Sequence, residues 1–197
     1  MSLESYRPTR ETVLTAPNVI SAIGVTAVWH GANQINSING VLQIAGGRTL
    51  DVVDGLVARK FNQQSDFGAA LDASLDKAGV FKILFEARKK EAAPRAFLGA
   101  LAIRHSINAL AGAYSVLENP GVSQRPTKTG KFGMALDNLA LFGYLTNNAL
   151  AKEGHPRNVA DKLKTASHLA AVAGMVVGTM GTAEYLKRAM KSKKVIK

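Results

Sequence analysis

The stretch Leu50–Lys77 reads L-D-V-V-D-G-L-V-A-R-K-F-N-Q-Q-S-D-F-G-A-A-L-D-A-S-L-D-K, and within it four aspartates fall in two pairs. Asp51 and Asp54 are three residues apart, and Asp72 and Asp76 are four apart. On a helix either spacing returns about one turn, so each pair shares a face. Two helical segments joined by a short polar run would therefore bring four carboxylates together. Such a cluster repels itself, and an ionised carboxylate taken out of water is costly unless it is paired or bound to a cation. Oxygen-only ligands select hard ions, Mg²⁺ or Mn²⁺, and these ions commonly hold phosphate oxygens. Gly55, Ala58, Gly68, Ala69 and Ala70 keep the helix faces thin enough for a ligand or a second backbone to approach. Spacing alone thus predicts metal-assisted chemistry on a phosphate ester.

The same residues carry a more specific pattern. D-x-x-D-G-x-x-A-R, an eight-residue spacer and G-x-x-x-D-x-x-x-D are filled without a gap by Asp51, Asp54, Gly55, Ala58, Arg59, Gly68, Asp72 and Asp76. This resembles the signature of the CDP-alcohol phosphatidyltransferases. The resemblance implies an all-α, integral-membrane bundle of six transmembrane helices. The acids would lie at the cytoplasmic ends of the second and third helices. It also implies transfer of a phosphatidyl group from CDP-diacylglycerol to an alcohol, with release of CMP.

Site roles follow from the resemblance residue by residue. Asp51, Asp54, Asp72 and Asp76 would hold one or two Mg²⁺ or Mn²⁺ ions, and Asp76 would also act as general base on the acceptor hydroxyl. Arg59 would grip phosphate oxygens, since a guanidinium can bind two at once. Gly55 and Gly68 would give the cytidine room, and Ser65 and Asn18 match further CDP-lipid contacts. For the acceptor, members that transfer to glycerol phosphate carry an Arg-Glu pair in the fourth helix and a G-K-x-K-T run before the fifth. This chain has Arg104-His105 and Gly130-Lys131-Phe132-Gly133-Met134. Arg104 and Lys131, with Arg125 and Lys128 nearby, are thus the candidate ligands of an acceptor phosphate. Those members also often carry an arginine where this chain has Gly24.

Composition sets outer bounds. The 197 residues suffice for one domain or about six short spans. The absence of cysteine excludes disulfides and thiolate metal sites. Mean hydropathy of +0.03 would not by itself mark a multi-span membrane protein. A net charge of +11 points to anionic partners, such as phospholipid headgroups or phosphorylated substrates. Aromatic content of 6% and no basic helix interleaved with stacking residues argue against nucleic acid.

The chain reads as a single domain over residues 1–197. Residues 1–15, with Leu3, Tyr6, Val13 and Leu14 among polar positions, suit a short interfacial segment, and no cleaved signal peptide is expected. From Thr12 to Gly47 there is no Asp, Glu, Lys or Arg, and Asn33, Gln34, Asn36, Ser37 and Asn39 mark an interhelical turn. Further segments are expected at Ile38–Phe61, from Phe67 to the charged run Glu86–Arg95, and at Ala96–Leu117, Lys131–Ala151 and Thr165–Tyr185. The tail 186–197 is strongly basic, which places it and the active site on the cytoplasmic side of the cell membrane. Gly174, Gly178 and Gly181 form a small-residue stripe read as close helix packing, with a homodimer contact as one form of it. His30, His155 and His168 receive no role.

Four readings compete. The first is an enzyme that uses glycerol 3-phosphate, since clustered cations favour a phosphorylated alcohol. The second is the same chemistry on an inositol phosphate. The third is a non-catalytic membrane scaffold, opposed by the intact acids. The last is a soluble basic helical domain, which fractionation without detergent would reveal.

Overall fold

The computed structural model describes residues 15–61, 66–118 and 127–191, and side chains within these except at 59, 66–73, 115–118, 189 and 191. The described chain is all α-helix, with no strand. Six helices follow in order: α1 Ala16–Asn33, α2 Ile38–Lys60, α3 Asp66–Lys89, α4 Arg95–Glu118, α5 Lys128–Lys152 and α6 Arg157–Lys191. They divide between Lys90 and Glu91 into two compact units of three helices each.

Local chemistry sets the helix ends. Thr15, Ser37 and Thr127 cap α1, α2 and α5, each accepting from the backbone N–H three residues on, at 3.4, 3.1 and 3.0 Å. Pro17 sits in the first turn of α1, where its missing N–H costs nothing. Just past the end of α5, beyond its cap residue Glu153, Gly154 adopts φ +80°. There the N–H groups of Gly154 and His155 donate to Ala151 O and Leu150 O, the paired closure that favours glycine.

In the first unit α1 and α2 run antiparallel through a tight turn, and glycines meet across the seam. A Cβ on Gly31 would stand 2.5 Å from Gly40 O, and one on Gly24 would stand 2.9 Å from Gly47 O. The seven-residue steps from Gly24 to Gly31 and from Gly40 to Gly47 keep both contacts in register. Gly24 is thus closed in by the facing helix, with Leu50 Cβ 3.3 Å from where its own Cβ would lie, which leaves little space for a larger side chain. Helix α3 leans on α1, with Val28 Cγ1 3.5 Å from where a Cβ on Gly79 would lie and Lys82 Nζ 5.3 Å from the centre of the Trp29 ring.

Both acids of the charged run after the apolar part of α3 are paired. Glu86 accepts from Lys82 at 2.8 Å with Lys90 at 3.8 Å, and Glu91 pairs with Arg95 at 2.5 Å.

In the second unit α5 and α6 repeat the antiparallel glycine seam. Gly133 faces Gly178, Gly130 faces Gly181, and Gly143 faces Ser167. The glycine stripe of α6 is thus taken up by packing within the chain. His168 stacks edge-on against Tyr144 at 5.2 Å, and Tyr144 meets Phe97 at 5.3 Å.

Polarity is distributed unusually for a water-soluble fold. Leu169, Val172, Val176 and Met180 form an outward stripe on α6, each more than half exposed. Val19 and Ile23 on α1, and Leu42, Val52 and Leu56 on α2, are also exposed, while Ser21, Asp54, Arg104, Asp137, Ser167 and Thr182 are buried. Among the described residues one segment, Arg157–Arg188, is long and apolar enough to cross a membrane by length and composition. The helix containing it runs well beyond the expected Thr165–Tyr185, because hydropathy marks only its apolar middle while the backbone ladder continues through both charged ends. The expected interfacial segment, apart from Thr15, and the tail 192–197 lie outside the described residues.

Candidate active site

The signature spans α2 and α3. Asp51, Asp54 and Gly55 lie on α2; Gly68, Asp72 and Asp76 lie on α3. Asp54 is 3% exposed, and the neighbouring α1 supplies its partner, with Ser21 Oγ donating to Asp54 Oδ2. Pro17 O lies 3.1 Å from the same hydroxyl, whose single proton serves one acceptor at a time. The glycine contacts between this level and the interhelical turn, Gly24 with Gly47 and Gly31 with Gly40, hold α1 and α2 closely enough for so short a side chain to reach across. Asp51, one turn earlier on α2, is half-buried.

Asp76 is reached from α2 as well. Arg48, three residues before Asp51, donates through Nη1 to Asp76 Oδ1, and both side chains are about a quarter exposed, at 25% and 29%. The Arg48–Asp76 bridge therefore links the helix carrying the first acidic pair to the helix carrying the second. Among the described residues no three Asp, Glu, His or Cys side chains gather around one point. The side chains of Asp72 and Arg59, and all of Ser65, lie outside the described residues. Asn18 occupies the first turn of α1, half-buried, its backbone N–H donating to the Thr15 cap.

The acceptor candidates lie in the second unit. Lys128 and Lys131 occupy the first turn of α5, both exposed, on a helix with no acidic residue in that turn. Cations there oppose the helix dipole and are unfavourable for stability, which leaves them free to meet an anion. Arg125 lies outside the described residues. Arg104 is buried: it forms an ion pair with Asp137 of α5, and its Nη1 donates to Gly174 O of α6 at 3.2 Å.

Sequence reasoning missed Ser21, Arg48 and Asp137. Ser21 stood three residues from Asn18 on the same helix face, a small hydroxyl in a run without charge. Arg48 stood one turn before Asp51. Both spacings were visible, but the partner on another helix was not. Asp137 was the lone acid in the fifth predicted segment, which in an apolar stretch signals a buried partner.

A family model described as CDP-alcohol phosphatidyltransferase matches residues 12–186. No curated protein and no solved structure gives a match to the chain.

Proposed function

The chain belongs to the CDP-alcohol phosphatidyltransferase family, and from that premise we propose that it transfers a phosphatidyl group from CDP-diacylglycerol to glycerol 3-phosphate, forming phosphatidylglycerophosphate and releasing CMP. The family as a whole transfers a phosphatidyl group from a CDP-alcohol to an alcohol, generally uses divalent metal ions and is typically membrane-embedded. The observation that carries the reading is the unbroken acidic signature, with Asp54 buried at its centre. A buried carboxylate whose described partner is a neutral hydroxyl has unspent negative charge, and a hard cation is the fitting counter-ion.

Asp51, Asp54, Asp72 and Asp76 are the residues that would hold Mg²⁺ or Mn²⁺. When bound, the metal offsets charge on the diphosphate and on the departing CMP. Ser21 orients Asp54, and Arg48 orients Asp76, which takes the proton from the acceptor hydroxyl. Arg59 grips the diphosphate, while Asn18, Ser65, Gly55 and Gly68 shape the nucleotide seat. Arg104, Arg125, Lys128 and Lys131 bind the acceptor phosphate.

The outward apolar stripes and inward polar groups fit a bundle whose surroundings are lipid, where the hydrophobic contrast of a water-soluble protein is reversed. All six helices then span the cell membrane as one domain, with residues 1–15 on the interface and the active site and tail cytoplasmic.

The test is CMP release by detergent-purified protein from CDP-diacylglycerol, assayed side by side with glycerol 3-phosphate, an inositol phosphate, serine and no acceptor. Release that depends on glycerol 3-phosphate and on divalent metal supports the reading. Preference for the inositol phosphate moves the acceptor, and no release with any acceptor defeats the enzyme.

A further inference from the structure

The second unit contains a buried ion pair that the chemistry above does not use in full. Arg104 on α4 and Asp137 on α5 have side chains 9% and 4% exposed, and they meet over α6. Two glycines of α6 make the space. A Cβ on Gly178 would stand 2.6 Å from Arg104 Cζ, and one on Gly174 would stand 3.1 Å from Asp137 Cγ. Any side chain at either position would displace the pair. The arginine is fixed from two sides at once, by the carboxylate of Asp137 and by the carbonyl of Gly174.

A buried ion pair is a weak source of stability, because desolvation consumes most of the attraction and apolar residues of similar volume serve as well. Its distinctive product is geometry. A guanidinium carries five N–H donors in a rigid fork, so a carboxylate on one edge sets the direction in which the remaining donors point. The seam beside the pair is polar as well. Asn108, one turn beyond Arg104 on α4, has a buried Oδ1 without a hydrogen-bond partner, and Thr182, one turn beyond Gly178 on α6, has a buried Oγ1 in the same condition. An unmet amide oxygen and an unmet hydroxyl one turn from a fixed guanidinium suit a ligand that brings both an anion and hydroxyl groups.

We propose that Asp137 is a positioning residue for the acceptor: it holds the Arg104 guanidinium on the Gly174–Gly178 platform in the orientation that receives the phosphate of a phosphorylated, hydroxyl-bearing alcohol. The proposal rests on the phosphatidyl-transfer reading and deepens its acceptor site. Asp137 itself touches no reacting atom; it acts through Arg104.

The experiment compares wild type, Asp137→Asn and the charge-swapped double variant Arg104→Asp/Asp137→Arg, measuring KM for glycerol 3-phosphate, KM for CDP-diacylglycerol, kcat and melting temperature in detergent. Asp137→Asn is expected to raise the acceptor KM about tenfold or more, with the CDP-diacylglycerol KM and kcat changed by less than about twofold. The swapped variant restores the ion pair, so its melting temperature returns toward wild type. Its arginine now springs from α5, and the acceptor KM stays high. Recovery of the acceptor KM in the swapped variant would reduce Asp137 to a structural counter-ion and overturn the proposal. An unchanged acceptor KM in Asp137→Asn, equal effects on both substrates, or failure of both variants to fold would overturn it too. Wild type inactive with every acceptor defeats the enzyme reading and this proposal together, whereas active wild type with an indifferent Asp137→Asn defeats this proposal alone.

Discussion

At the scale of single residues, the site rests on acids whose supports come from other helices. Ser21 presents one hydroxyl to Asp54 inside the first unit, where the carboxylate is 3% exposed. Removing that donor in Ser21→Ala leaves a buried acceptor with one bond fewer, a loss of about 1–3 kcal/mol. Groups that orient metal ligands typically change metal affinity by about 10–100-fold when lost. Ser21→Ala is therefore expected to raise the Mn²⁺ concentration needed for half-maximal CMP release, and Ser21→Thr to retain most of the affinity. An unchanged metal requirement would make Ser21 a packing residue. Asp76 has a sharper expectation. Asp76→Asn should melt within a few degrees of wild type, because its ion pair with Arg48 is partly exposed and worth about 1 kcal/mol or less, yet CMP release should cease. A chelator should likewise stop release by wild type, and added Mg²⁺ or Mn²⁺ should restore it.

At the scale of elements, glycine separates two kinds of position that look alike in a sequence. A Cβ on Gly31 would stand 2.5 Å from Gly40 O and 2.9 Å from Gln43 Cβ, and backbone cannot move aside. A Cβ on Gly46, on the helix facing it, meets nothing within 4 Å. Gly31→Ala is expected to destabilise by about 1–3 kcal/mol through overpacking. Gly46→Ala should be neutral or stabilising by up to about 1 kcal/mol, since alanine is the better helix former. Melting of the two variants in detergent checks the contrast; equal effects would show that the α1–α2 seam is looser than its geometry. The helices themselves were legible from the sequence. Ile38–Lys60 and Arg95–Glu118 fall within a residue of the segments expected from apolar runs and turn chemistry. Helix α6 was not legible at its ends, because its charged termini lack the apolar signal while keeping the backbone ladder.

At the scale of the whole molecule, the ordering of polarity carries the prediction. Buried polar side chains within both units and apolar stripes outside them fit the lipid surroundings proposed above, and a net charge of +11 favours the anionic face of a membrane. The protein is expected in the membrane fraction, released by detergent and not by high salt or alkaline washing. Recovery in the soluble fraction without detergent would overturn the six-span bundle. The sequence by itself determined the helical class, the family and the acidic signature, because fixed residues at one-turn spacings encode which side chains share a face of one helix. Only the tertiary structure decided that Ser21 serves Asp54, that Arg48 serves Asp76 and that Asp137 holds Arg104. Each of those pairs joins two helices, and such a meeting depends on how glycine seams set the distance and register between helices, which a one-dimensional pattern does not record.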